Sequence, residues 1–455
     1  MDFRTFVEQL AAEDDLLRIR QEVDTEYELG ALLQQAESRD KAIWFEQVKG
    51  STFPVVGSVM NTAERHALSI SKSPRQMNQP GAWSGLFAEA RQNPLAAVKA
   101  DAGPAAETIL TGDDVDLNRL PVPFSFPGDT HRFMTAGLGI VMDPNHQQQN
   151  VGFYRAPVID GQHLSISAGV SSRLKQIYSA AASFGQKMPL AFVIGAPPAL
   201  LLTAGYRIGR DEDDLAIAGA LQGKPLALMR CQTSDLLVPA MAEFVIEVEV
   251  ELDKLLDHTM GEFPDNYGAS TSPIARVTAI THRADAVYHT ILGGMNREHN
   301  ALGAYIFTGL REFLLEQLRP AYPGLTDIHV DLTPRRMGGR CQISVALDKS
   351  AEEEPQALIE AIYAQQFDTF PLVMVVQRVV IADPDVDICS NEDIEWAIAM
   401  RASTGDKLRV IEAPAKGGGT TTRLAIDATV AISDRQKTRR PRIPGATDYP
   451  LDRYL

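Results

Sequence analysis

The sequence predicts a multidomain chain of mixed α+β and α/β class: an N-terminal α/β domain, a β-rich centre and a C-terminal α/β domain. Three observations predict it. At 455 residues the chain is too long for one ordinary core, which suggests two or three domains. Its apolar residues follow helical and strand spacing by turns at the two ends and mainly strand spacing in the middle. Between the first two regions lies Leu120-Pro121-Val122-Pro123-Phe124-Ser125-Phe126-Pro127-Gly128, where three prolines remove donors and fix φ.

The elements follow in order. Residues 3–12 give an amphipathic helix, 16–19 a strand, and a second helix follows the acidic Asp24-Thr25-Glu26. Residues 42–61 read as short strands, and 74–115 as helical with Pro and Gly interruptions. Together they form a domain over 1–125. From 126 to 320, strand-like segments at 135–142, 151–159, 164–168, 190–195, 226–231, 244–252 and 274–282 alternate with shorter helices near 171–184 and 211–221. A long amphipathic helix is expected over 302–321. Over 321–455, strand signals such as 328–332 alternate with helices such as 352–366, and a basic run from Arg435 to Arg442 opens the tail.

Bulk properties narrow the function. A net charge of -16 argues against binding nucleic acid or anionic membranes, while leaving room for a local basic phosphate pocket. Cys231, Cys341 and Cys389 are widely spaced, which excludes a disulfide framework or zinc knuckle. With no basic, apolar leader and no long uncharged apolar stretch, a cytoplasmic location is expected.

Asn150-Val151-Gly152-Phe153-Tyr154-Arg155 sits on a central strand, where period two sends Gly152 and Tyr154 to the face of Asn150 and Arg155 to the other. An arginine on a strand is by itself weak evidence of chemistry. Further landmarks follow in order: Ile194-Gly195-Ala196-Pro197-Pro198-Ala199, Leu215 to Pro225, Val238-Pro239-Ala240-Met241-Ala242-Glu243, Met260-Gly261-Glu262-Phe263 and Leu424-Ala425-Ile426-Asp427-Ala428-Thr429. On these residues the chain resembles the UbiD-type decarboxylases, which use prenylated FMN to add or remove CO2 on unsaturated or aromatic acids.

The resemblance implies a central split β-barrel like that of flavin reductases, holding prenylated FMN, and a C-terminal α/β domain used in oligomerisation. It implies that Asn150, Phe153, Tyr154, Arg173, Asp214 and Arg423 contact the cofactor. In the family a Mn ion and a K+ ion hold the flavin phosphate. Asn150 and Asp214 stand at two metal-ligand positions and Arg173 at the third, the family's His. A guanidinium cannot ligate a cation. Either Arg173 replaces the metal, binding phosphate while Asp214 orients it, or the two form an ordinary ion pair. Arg423, after Lys416-Gly417-Gly418-Gly419-Thr420, stands where the family has a phosphate-binding Lys.

For the chemistry, the resemblance implies Arg155 as carboxylate clamp and two acids five apart, Asp257 and Glu262, as proton carriers. Phe263 and His299 fall in the substrate region, while His258 and His289 read as structural. The expected reaction is reversible non-oxidative decarboxylation of an aromatic or α,β-unsaturated acid, by a homo-oligomer supplied with cofactor by a flavin prenyltransferase. The alternatives are a divergent partner subunit lacking the metal site and a flavin-independent enzyme of another reaction type.

Overall fold

The computed structural model describes all residues except 80, 144, 146, 168–172, 185–186, 207–211, 263–265, 295, 332–340, 368–369, 403–404, 415–419 and 436–455. The chain forms two compact units, Met1–Thr308 and Gly309–Leu455.

The first unit starts with helix Phe3–Ala12, whose N-terminus is capped by Asp2, the carboxylate accepting from Thr5 N–H at 2.8 Å. Phe3, Phe6, Val7 and Leu10 recur at helical spacing and are buried. Behind this helix, strands Leu16–Ile19, Ala42–Phe45 and Val55–Gly57 build a four-stranded sheet whose last member, Tyr288–Thr290, arrives from far along the chain. The N-terminal region is thereby closed by a strand from the end of the same unit.

The centre is a nine-stranded, largely antiparallel sheet. Its path runs Arg132–Met134, Ala156–Val158, His163–Ser165, Asn266–His282, Phe244–Glu262, Met188–Ile194, Leu138–Asp143 and Gln148–Phe153, with Thr108–Thr111 added against Asn266–His282. Gln148–Phe153 is the last strand of the path and Ala156–Val158 the second, yet only Tyr154 and Arg155 join them. The Cα atoms of Phe153 and Ala156 can then be at most about 11 Å apart, so the sheet must curl until its ends come close. The result is a half-barrel with Tyr154-Arg155 at its seam.

The β-rich centre matches the sequence pattern, with three differences. Residues 74–115 are α-helical only over Pro74–Met77 and Ala82–Gln92, with 3-10 turns at Pro104–Ala106 and Gly112–Asp114; Val98–Lys99 and Thr108–Thr111 pair into sheets. Residues 302–321 do not form one helix: Arg297–Gly303, a 3-10 turn Ala304–Phe307 and Leu310–Leu318 replace it. The break falls at Gly309, whose φ of 89° is open to glycine at little cost. Helix Pro198–Gly205, absent from the sequence reading, is apolar all round and buried, so it has no amphipathic period to betray it.

The second unit is an α/β layer. Its five-stranded sheet runs Leu325–Asp331, Cys341–Leu347, Val376–Ala382, Thr420–Ala428, Leu408–Pro414, parallel in the centre and antiparallel at both edges. Strand Cys341–Leu347 is buried throughout, and Val376–Ala382 is buried except at Gln377 and Arg378, as central parallel strands covered on both faces are. Among the described residues no helix is long and apolar enough to cross a membrane.

Candidate active site

Strands Phe244–Glu262 and Asn266–His282, 19 and 17 residues long, form a hairpin that extends past the rest of the sheet. Register shifts interrupt their pairing as far as Leu255, and from Leu255↔Pro273 to Glu262↔Asn266 it is unbroken. Side chains therefore alternate strictly: His258, Met260 and Glu262 share one face, Asp257, Thr259 and Gly261 the other. His258 and Met260 are buried.

Glu262 meets the seam of the half-barrel. The Arg155 guanidinium donates to it through both terminal nitrogens, Nη1 to Oε2 at 3.0 Å and Nη2 to Oε1 at 2.8 Å. This is the fork geometry in which arginine binds carboxylates best. Both side chains keep about a quarter of their exposure, 22% and 28%, so the pair is open to a ligand. Gly268 makes room: a Cβ there would lie 2.6 Å from Cγ of Glu262.

Asp257 is not brought to this pair. An odd spacing of five on an extended strand places it on the opposite face, exposed, with its carboxylate accepting from the Thr271 hydroxyl at 2.6 Å. His299 is brought there. Its Nδ1 lies 3.1 Å from Gly294 O, and burial, then the Arg155 charge, hold it neutral, well below the ordinary imidazole range. Gly294, at φ 75° ahead of the helix Arg297–Gly303 that carries His299, sits against Phe126 and the Glu262 backbone.

The proline-rich segment supplies an unforeseen part. Asp129 accepts from Gly261 N–H at 2.8 Å and from Phe126 N–H at 3.2 Å, and Thr130 exchanges hydrogen bonds with Thr259. Tyr267 OH accepts from Gly128 N–H at 3.0 Å. The segment clamps the hairpin arm that bears Glu262. Burial raises the Asp129 carboxyl above its usual range, opposed by these backbone donors and by Arg155.

A second polar cluster lies on the other side of the seam. Asn150, Gly152 and Tyr154 share a face, as period two requires. Asn150 Nδ2 donates to Tyr154 OH at 3.0 Å, and the Tyr154 ring lies over Gly139 and Gly152, where a Cβ would meet it at 2.5 and 2.7 Å. Asp214, in the first turn of helix Asp214–Leu221, accepts from Val151 N–H at 2.8 Å. Its burial pushes the carboxyl up to about 7, opposed by Val151 N–H and the Arg173 charge.

Arg173 opens helix Arg173–Phe184, and its Nε is 3.3 Å from Asp143 Oδ2. Arg173 thus pairs with Asp143, at the end of strand Leu138–Asp143, and acts on Asp214 through space. Asp143 escaped the sequence reading because nothing local ties it to residue 173.

Phe153 is half-buried against the apolar core of the first unit. Arg423 lies in the second unit, 1% exposed, with Nε donating to Val373 O at 2.7 Å and Nη1 to Thr421, Thr422 O and Gln377. Phe263, residues 415–419 and the tail from 436 lie outside the described residues.

Family models match along the chain in the same order as these elements. The N-terminal domain of 3-octaprenyl-4-hydroxybenzoate carboxy-lyase matches residues 7–79, the Rift-related domain 96–296 and the C-terminal domain 304–428. Among solved structures, the UbiD-class enzyme HmfF from Pelotomaculum thermopropionicum, in complex with FMN, is 30% identical with a TM-score of 0.85 over 100% of both chains. An evolved dimeric form of HmfF, in complex with prenylated FMN, gives 30% and 0.82, again over 100% of both chains. The 3,4-dihydroxybenzoic acid decarboxylase of Enterobacter cloacae, at 22% identity and a TM-score of 0.82 over 100% of this chain and 99% of that one, shares the fold. With all three family segments in sequence and the curled sheet holding an arginine–glutamate fork at its seam, the chain belongs to the UbiD family of carboxy-lyases.

Proposed function

We propose that the protein decarboxylates an aromatic or α,β-unsaturated carboxylic acid, reversibly and without net oxidation, with prenylated FMN as cofactor. The observation that carries this is the Arg155–Glu262 fork. An arginine that already binds one carboxylate bidentately has the geometry to bind another. The partly exposed acid beside it is placed to move a proton.

The second cluster fits the flavin phosphate. Arg173 offers charge at the first turn of a 12-residue helix, where backbone N–H groups also favour anions. Asp143 fixes Arg173, and Asn150 and Asp214 back it from the half-barrel. For Mn the fit is poorer. Asn150 and Asp214 are hard oxygen donors, but Arg173 cannot ligate, and among the described residues no group of three His, Cys, Asp or Glu could hold a metal. Arg173 supplies the positive charge in the metal's place. Arg423, 1% exposed and donating to Val373 O, Thr421, Thr422 O and Gln377 within the second unit, is not used in this reading, nor is K+.

Prenylated FMN, when bound, supplies an electron sink for the pair released as the bond to CO2 breaks. The chain's own residues do the rest. Arg155 grips the substrate carboxylate and turns its C–C bond toward the cofactor. Once the substrate carboxylate takes its place on Arg155, Glu262 takes up a proton from solvent through its exposed edge and passes it to the carbon that CO2 leaves. His299, neutral, adds a hydrogen-bonding group without adding charge that would hold the acid in its ground state.

The acid is drawn from solution, the prenyltransferase supplies the cofactor, and the protein works in the cytoplasm as a homo-oligomer. A partner subunit and a flavin-free enzyme are less well supported, because the likeness spans the whole of an enzyme solved with FMN. The test is production together with a flavin prenyltransferase, followed by flavin identification, metal analysis and CO2 release from a panel of aromatic acids. Glu262→Gln is expected to keep the flavin and lose turnover. Turnover at the wild-type rate in that variant refutes Glu262 as proton carrier.

A further inference from the structure

Glu262 ends the strand Phe244–Glu262, on an arm that the rest of the sheet does not support. Met188–Ile194 pairs with residues 244–250 and His163–Ser165 with 274–276, so among the described residues 255–262 and 266–273 have only each other as ladder partners. A two-stranded ribbon alone is marginally stable in water. A reacting carboxylate at the tip of such a ribbon needs something else to hold it.

On an antiparallel strand every second residue turns its N–H and C=O away from its partner. At Thr259 and Gly261 these outward groups are met by residues 126–130. Thr130 N–H donates to Thr259 O and Thr259 N–H to Thr130 Oγ1, both at 3.0 Å, and Gly261 N–H donates to Asp129 Oδ1 at 2.8 Å. The last of these bonds falls one residue from Glu262. The other Asp129 oxygen, Oδ2, accepts from Phe126 N–H at 3.2 Å, and Asp129 N–H donates to Phe126 O at 3.0 Å. One carboxylate is thus committed through one oxygen to the arm and through the other to Phe126.

Phe126 carries the restraint further. A Cβ at Gly261 would lie 2.8 Å from Cδ2 of its ring, and one at Gly294 would lie 3.5 Å from its Cζ, so the ring sits between the arm and Gly294. Gly294 O is the atom 3.1 Å from Nδ1 of His299. An aspartate that only closed a local turn would need no more than its bond to Phe126. The bond to Gly261, 132 residues away, is the addition.

We infer that Asp129 is a positioning residue for the reaction: it sets Glu262 against Arg155 and, through Phe126, the Gly294 carbonyl on which His299 rests. This rests on the decarboxylase reading and deepens it. Without the carboxylate, Gly261 N–H loses its acceptor and the arm tip is released, and a shift of about 1 Å at a reacting group costs on the order of 100-fold in rate. Arg155 is borne by the seam rather than by the arm, so its grip on the substrate carboxylate stays.

The experiment measures kcat and KM for CO2 release by the flavin-loaded protein and its Asp129→Ala and Asp129→Asn forms. The acids are a panel led by benzoate, 3,4-dihydroxybenzoate and cinnamate, with Tm and bound flavin recorded for each form. Asp129→Ala should lower kcat about 10- to 100-fold with KM within about twofold, a split that lost stability alone does not produce in folded protein. Asp129→Asn keeps the shape and one oxygen to accept from Gly261 N–H, so it should recover most of that loss. Wild-type kcat in folded Asp129→Ala, or an asparagine form no better than the alanine form, overturns the inference and leaves decarboxylation standing. No CO2 release by the flavin-loaded wild type overturns the reading beneath it as well. Should the alanine form not fold, hydrogen exchange in the wild type decides: the Gly261 amide should exchange as slowly as the ladder amides of the arm, and exchange at the rate of a free chain overturns the inference.

Discussion

Gly268→Ala separates the chemistry from the fold. The new Cβ would lie 2.6 Å from Cγ of Glu262 and 3.3 Å from its Oε1. Carbon atoms in contact sit about 3.5–4.0 Å apart, so Glu262 must retreat by about 1 Å. Cγ is the middle of the side chain rather than its tip, so rotation of the carboxylate alone does not relieve the clash. A displacement of that size at a reacting group costs on the order of 100-fold in rate. The strand itself tolerates the change: Gly268 lies in Asn266–His282 without a left-handed φ, and glycine within a strand is about 0.5–1 kcal/mol worse than alanine. The expected result is kcat/KM for CO2 release down about 10- to 100-fold at unchanged or raised Tm. The assay is initial-rate kinetics on the flavin-loaded enzyme beside a thermal melt. Wild-type kcat/KM in a folded Gly268→Ala protein would refute the position of Glu262 in the reaction.

Other outcomes follow from the same geometry. Arg155→Lys keeps the charge and loses the fork, so KM for the acid should rise about tenfold or more, one charge-assisted hydrogen bond, while bound flavin stays at wild-type levels in absorbance. Glu37, buried and accepting from Arg297 and Glu298 N–H, is pushed up to about 7 by burial. The folded state then holds a proton that the unfolded state releases above its ordinary 4.5, so stability falls as pH rises from 4.5 to 7, by roughly 3 kcal/mol in all. Urea midpoints for wild type and Glu37→Gln across that range should diverge in that sense, and parallel curves would count against it. His66 has the opposite sign: buried between Met60 O and Tyr305 OH, it is lowered to about 4, so its contribution is full above 6.5 and is lost as pH falls toward 4. Its ring should titrate by NMR near pH 4, and titration near 6.5 would refute its burial.

What could be read from the sequence was what depends on local period. Asn150, Gly152 and Tyr154 fell on one face because a strand alternates, and the β-rich centre declared itself by its segments. The parts that escaped are those created by curvature. Asp143 meets Arg173, and Asp129 meets Gly261, only after the sheet has rolled up and the proline-rich segment has folded along the hairpin. Asp257 shows the converse. Its spacing from Glu262 matches the family signature, yet odd parity on an unbroken strand turns it away.

The seam has a consequence for how such an enzyme diversifies. Tyr154 belongs to the cluster proposed to hold the flavin phosphate and Arg155 to the fork proposed to hold the acid, and the two are consecutive residues. Their Cα atoms are fixed at about 3.8 Å by a single peptide unit. The offset between cofactor anchor and substrate anchor is thus set by covalent geometry rather than by how well separate loops pack. Residues along the hairpin face can then be exchanged to suit new acids without disturbing that ruler, whereas an insertion of even one residue at the seam would misalign both ends at once.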